Sequence, residues 1–83
     1  MTTRFRILYF AEARRAAGVE SEELILDGSP SVRSVLEEAF RFHPSLSELR
    51  DGLRVAVNEQ LVPETRTVKN GDRVALLPMV VGG

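Results

Sequence analysis

The sequence has no cysteine. That excludes disulfides, thiolate nucleophiles and cysteine-based zinc sites, and a small domain without disulfide staples is expected in a reducing compartment, here the cytoplasm. It has a single histidine, His43, around which no ligand set can be built, so no metal is expected. It also lacks an excess of either charge: eleven basic residues against twelve acidic ones leave a formal net charge of −1. Without a positive surplus to hold phosphates, nucleic acid is not an expected partner. No apolar run approaches the ~18 residues of a membrane span, and Met1-Thr2-Thr3-Arg4 leads straight into an amphipathic pattern rather than a signal-peptide core. Secretion and membrane insertion are therefore not expected. The glycines are scattered, and no phosphate-cradling loop of the GxxxxGK type is present. Lys69 is the only lysine, beside ten arginines, a bias for which genome composition is sufficient.

What is present reads as one small globular domain. The chain has 83 residues, 43% hydrophobic and 28% charged, enough for a single core and too apolar for disorder. Phe5–Phe10 (FRILYF) is rich in aromatic and branched residues and predicts a strand, followed by a short helical turn over the alanine-rich Ala11–Ala17 that Gly18 can close. Glu22–Asp27 (EELILD) predicts a second strand. Val32, Val35, Leu36, Ala39 and Phe40 then recur at i, i+3, i+4, i+7 and i+8, the buried face of an amphipathic helix. Ser31, or Ser29 with Pro30 at the first helical position, is its N-cap, and Pro44 marks its far end. Leu46 and Leu49 suggest one more helical turn. Leu53–Asn58 alternates as a third strand, Leu61-Val62 is a short fourth, and Arg73–Leu77 follows the turn signal Asn70-Gly71-Asp72 as the fifth. A hairpin, one long helix and further strands fit an α+β fold, a mixed sheet packed on one main helix, as in the ubiquitin-like β-grasp. The expected domain spans residues 1–77, with 78–83 as a flexible tail.

Few residues suit conventional catalysis. His43 falls at the expected helix C-terminus, where the dipole favours an imidazolium, and reads as a solvated or capping residue. Glu22-Glu23 and Glu37-Glu38 are sequence neighbours, placed on opposite strand faces or about 100° apart on a helix, and read as solvated acids rather than a dyad. The C-terminal Gly82-Gly83 is more distinctive, although chance alone produces such a pair about once in two hundred chains. Without Cβ atoms it is a slim segment that can thread a narrow channel and present its carboxylate unshielded. A frayed terminus without a role is the alternative. Strand parity adds a second clue: if Arg6 and Arg73 face water, then Leu8, Phe10, Ala75 and Leu77 face it with them. The sheet would carry an exposed apolar patch beside the tail, able to dock a partner unless the loop around Leu61 partly covers it or an arginine snorkels from a buried edge.

The residues resemble a known family, the small ubiquitin-like sulfur-carrier subunit of molybdopterin synthase. The likeness covers nearly the whole chain: Ile7-Leu8-Tyr9-Phe10-Ala11 with Arg14 and Gly18, Val55-Ala56-Val57-Asn58 with Leu61-Val62, and, most specific, Asn70 through Pro78 with Gly82-Gly83. This resemblance implies a carrier rather than a catalyst. Gly83 would be adenylated with ATP by a ubiquitin-activating-like adenylyltransferase and converted to a thiocarboxylate, with no cofactor held by the domain itself. The tail, with Pro78, Val81 and Gly82, would enter the large catalytic subunit of the synthase, in a heterotetramer, and donate sulfur to a pterin precursor of molybdopterin. The family's apolar docking positions fall at Phe10, Leu61 and Leu77. The tail departs from the family pattern at Met79, in place of a second proline, and at Val81, in place of a smaller residue. A thiamine-type or other pathway's sulfur carrier therefore stays open, as do a ubiquitin-like protein modifier and a plain interaction module.

Overall fold

The computed structural model describes residues 1–79. Within them the chain runs β1 (Thr2–Tyr9), α1 (Ala11–Ala17), β2 (Ser21–Asp27), α2 (Val32–Phe42), a 3-10 segment (Pro44–Gly52), β3 (Leu53–Val57), β4 (Gln60–Val62) and β5 (Arg73–Pro78). The strands form one sheet in the order β2-β1-β5-β3-β4. β1 and β5 are parallel at its centre, in register from Arg6↔Arg73 to Tyr9↔Leu76, and every other pairing is antiparallel. The α+β arrangement expected from the order of elements is the one observed.

The period-two pattern of the strands divides the sheet into two faces. Phe5, Ile7 and Tyr9 of β1, Val74 and Leu76 of β5, and Val55 and Val57 of β3 are buried on one of them. Val32, Val35, Leu36 and Ala39 of α2 complete that core, as the helical spacing requires. Ser31 is the N-cap: its hydroxyl oxygen accepts from the Ser34 amide at 3.2 Å. Phe40, expected in the core, is only half buried; it sits at the edge of the helix stripe, where the Arg50 guanidinium lies 5.7 Å from its ring centre. Leu46, from the 3-10 segment, is fully buried.

A stretch read as loop contributes more than its composition announces. The carbonyls of Arg66 and Glu64 accept from the Val32 and Arg33 amides at 2.8 and 2.9 Å. They thereby satisfy amides at the start of α2 that have no partner within the helix. Val68 from the same stretch is buried in the core. Asp72 is buried as well and works as a clasp. Its carboxylate accepts from the Lys69 amide and from Asn58 Nδ2 at 2.8 and 2.9 Å, while Asn58 Oδ1 accepts from the Arg73 amide at 3.0 Å. Asn58, expected as the last residue of β3, instead has φ 51° and begins the turn into β4. Its side chain can satisfy the backbone in that left-handed conformation, which asparagine tolerates better than most residues.

The expected boundary of the tail shifts. Pro78 is the last residue of β5, paired with Leu53, and the Met79 amide donates to the Gly52 carbonyl at 2.7 Å. The sheet thus holds two residues assigned to the free tail, because β3 begins at Leu53 and supplies them a partner. Val80, Val81, Gly82 and Gly83 lie outside the described residues.

Candidate functional site

The face of the sheet turned away from α2 is the candidate site. Alternation places Arg4, Arg6 and Leu8 of β1 on it, with Arg73, Ala75 and Leu77 of β5 and Arg54 and Ala56 of β3. The register lines three of these and a β4 residue into a row across the sheet. Leu8 is beside Ala75, Ala75 beside Ala56, and Ala56 beside Leu61. The result is an apolar row four strands wide, with Leu61 at its edge 62% exposed. One level nearer the C-terminus, Leu77 lies beside Arg54. One level further from it, Arg6 lies beside Arg73.

Phe10 is displaced from its expected place at the end of a strand. β1 ends at Tyr9, and Phe10 is the extended residue before α1, its carbonyl accepting from the Ala13 amide at 2.9 Å. Ala11, with φ 48°, turns the chain sharply there. Phe10 stays 46% exposed and shares a surface depression with Leu8 and Arg14. Phe10, Leu61 and Leu77 are therefore reached from one face, with Leu77 only half buried. Leu61 is itself the outer member of the row, in β4, and the row is partly open: Leu8, Ala75 and Leu77 are half buried and Ala56 is buried. Sequence reasoning missed Ala56 and Arg54 as members of this face, although the alternation of Leu53-Arg54-Val55-Ala56-Val57 carried the signal.

Where β5 ends, a groove of about 430 Å³ separates it from the 3-10 segment, lined among others by Leu49, Gly52, Arg54, Pro78 and Met79.

His43 and Glu22 are not the solvated residues their sequence positions suggested. His43 Nε2 lies 2.8 Å from Glu22 Oε1, and the Tyr9 hydroxyl donates to Glu22 Oε2 at 3.3 Å. The Tyr9 and His43 rings meet edge to face with centroids 5.5 Å apart. The His43 backbone does cap α2, its amide donating to the Ala39 carbonyl at 2.8 Å. Side-chain burial follows because α2 ends directly over the start of β2, so the only histidine reaches an inward-facing acid. The cluster ties α2 to β1 and β2 on the side away from the open face.

Burial, reinforced by the Glu22 charge and by the hydrogen bond to it, raises the Tyr9 phenol far above its ordinary value. The folded chain thus holds this proton more tightly than the unfolded chain. The stability this contributes is fully present below about pH 10, the ordinary tyrosine value, and is lost as pH rises from there through the higher folded value. Tyr9→Phe is expected to flatten that alkaline decline, as read in urea melts on either side of about pH 10. An unchanged decline would place its origin elsewhere.

Among the described residues, no group of three or more histidine, aspartate or glutamate side chains is arranged to hold a metal ion, and no helix is long and apolar enough to cross a membrane. What the site offers is an open sheet face beside a strand that leads directly into the C-terminal residues.

A mixed five-stranded sheet of this order over one main helix is that of a ubiquitin-like β-grasp domain. The chain matches the ThiS family over residues 7–83, and it belongs to that family. It is 35% identical over 85 residues to the molybdopterin synthase sulfur carrier subunit of Escherichia coli (strain K12), a match covering 94% of this chain and 98% of that protein. A solved Pyrococcus furiosus protein, provisionally named molybdopterin converting factor, subunit 1, superposes with a TM-score of 0.85 at 30% identity, over 94% of this chain and 99% of that one. Small archaeal modifier protein 1 from Haloferax volcanii superposes with a TM-score of 0.84 at 24% identity, over 94% of this chain and 99% of that one; at that identity the likeness is one of fold.

Proposed function

We propose that the chain is a sulfur carrier of molybdopterin biosynthesis. The Gly83 carboxylate attacks the α-phosphate of ATP in a ubiquitin-activating-like adenylyltransferase, releasing pyrophosphate, and a sulfur nucleophile then displaces AMP to leave a thiocarboxylate. The loaded tail enters the larger, catalytic subunit of the synthase and passes its sulfur to a pterin precursor. The carrier is the donor in that complex, and the catalytic groups belong to its partner. The observation that carries this reading is the family match through Gly83, on a chain whose β5 leads into that residue five positions after Pro78.

The test is intact-mass analysis after incubation with the adenylyltransferase, ATP and a sulfur source. A gain equal to the difference between a sulfur and an oxygen atom is expected, and it should disappear when the pterin precursor and the larger subunit are added. An unchanged mass would overturn the reading. A thiocarboxylate that forms and is not consumed would assign the carrier to another pathway, such as thiazole synthesis. Gly83 found in isopeptide bonds to lysines would make the chain a protein modifier.

In this reading the open face, with Phe10, Leu61 and Leu77, is the docking seat. Leu77→Asp would place a carboxylate inside the interface, where it has no partner. Affinity for the larger subunit is expected to fall by at least about tenfold, roughly 1.4 kcal/mol, as measured by titration calorimetry. The melting curve of the free domain should hold, because Leu77 is only half buried. Unchanged affinity would remove the face from the interface.

A further inference from the structure

The open face is not apolar throughout. At the start of β5 it carries a cluster of three arginines, whose acidic neighbours are Glu23, Glu59 and Asp72, the last with its carboxylate already engaged by Asn58 and the Lys69 amide. Arg6 and Arg73 are direct neighbours in the parallel β1–β5 register, and Arg4 lies two residues back along β1 on the same face. The three line one depression of about 530 Å³, together with Glu23, Asn70 and Gly71 among others. Their contacts to acids are long and exposed: Arg4 Nε is 3.9 Å from Glu23, and the Arg73 guanidinium is 3.9 Å from Glu59. Glu23 pairs with Arg6 in the β1–β2 register, yet among the described residues Arg6 makes no ion pair; its guanidinium donates to the Ser21 hydroxyl at 3.2 Å.

Like charges side by side on neighbouring strands oppose folding. The exposed contacts to Glu23 and Glu59 return little to the free domain, since surface ion pairs contribute at most about 1 kcal/mol. They are placed, however, one level, or roughly 7 Å, from the apolar row of Leu8, Ala75, Ala56 and Leu61, on the side away from the C-terminus. Along β5 the face runs from Arg73 through Ala75 to Leu77, with two arginines side by side where the strand begins and a single one, Arg54 of β3, beside Leu77 where it ends. A partner covering the apolar row also covers Arg6 and Arg73. To avoid burying two like charges unpaired it must bring carboxylates to them.

We propose that Arg6 and Arg73 are a recognition site for carboxylates on the protein that docks on the open face. That protein has an apolar seat bordered by acidic residues on the side opposite the channel that receives the C-terminus. Resting on the sulfur-carrier reading, the proposal adds an orientation device. Docked the other way round, the basic end would meet the apolar seat, and the tail would point away from the channel.

The experiment uses the full chain and the purified larger synthase subunit of the same organism as the probe. Arg6→Gln, Arg73→Gln and the double variant are titrated at low and high salt, beside Leu77→Asp, and each free chain is melted. The double variant is expected to bind at least about tenfold more weakly at low salt, and to lose most of the salt dependence shown by the unaltered chain. Its melting temperature should stay level or rise, since a like-charge neighbour has been removed. Binding that Leu77→Asp weakens and the arginine variants leave unchanged, with the same salt dependence, overturns the recognition site alone. Failure of the unaltered chain to bind overturns the sulfur-carrier reading and the recognition site with it.

Discussion

A chain lacking only Gly83 is expected to transfer no sulfur at all while melting at the same temperature as the full chain. The loss is complete in kind: adenylate and thiocarboxylate would both form on the Gly83 carboxyl carbon, and the shortened chain ends on a carboxylate displaced by one residue, about 3.5 Å, from where the partner's reacting groups wait. Stability should not follow, because the deletion removes a residue with no side chain, well beyond Met79, whose amide makes the last described backbone hydrogen bond. Single-turnover transfer to the pterin precursor, paired with calorimetric melting, checks both halves. Retained transfer would remove the carrier mechanism, and a large drop in melting temperature would show that Gly83 supports the fold.

The second large effect concerns the core. Leu46→Ala is expected to cost about 2 to 5 kcal/mol, because Leu46 is wholly buried and its removal leaves a cavity in a close-packed interior. A domain of this size has little more stability than that in total, so the variant should be largely unfolded at room temperature, as read by urea titration followed by circular dichroism. Phe40→Ala should lose distinctly less, since that ring is half exposed and rests on the surface beside Arg50. If the two variants melt alike, the 3-10 segment is looser than its burial indicates.

The strands and α2 were legible because each carries a period: two along Arg6-Ile7-Leu8, between three and four along Val32-Val35-Leu36-Ala39. Parity alone put Arg6, Leu8 and Phe10 on one face with Arg73, Ala75 and Leu77; the registers bear this out for the strand residues, while Phe10 lies beyond the end of β1. What stayed hidden depends on contacts between distant segments. Val68 has no periodic neighbours, so its burial follows only from the hydrogen bonds that hold its loop against the start of α2. Asp72 was legible as a turn residue and not as a clasp, since Asn58 comes to it only once β3 and β5 have paired. Glu22 and His43 looked solvated for the same reason. The end of the domain was misplaced because the sequence shows no partner for residues 78–83, whereas Pro78 pairs with Leu53 and the Met79 amide donates to the Gly52 carbonyl.

The parallel pairing of β1 with β5 has a consequence for how the chain is made. The first strand to leave the ribosome has one of its two neighbours in the last strand to leave it, and that last strand fills the middle of the sheet, between β1 and β3. Until β5 is synthesised the growing chain has two half-sheets and no continuous core, so folding waits for contacts that close nearly the whole length of the polypeptide. A chain ending anywhere before Arg73 would lack the middle strand of its sheet and is expected to be unfolded and sensitive to proteolysis. Completion of the sheet thus waits on β5, the strand that precedes the C-terminal residues.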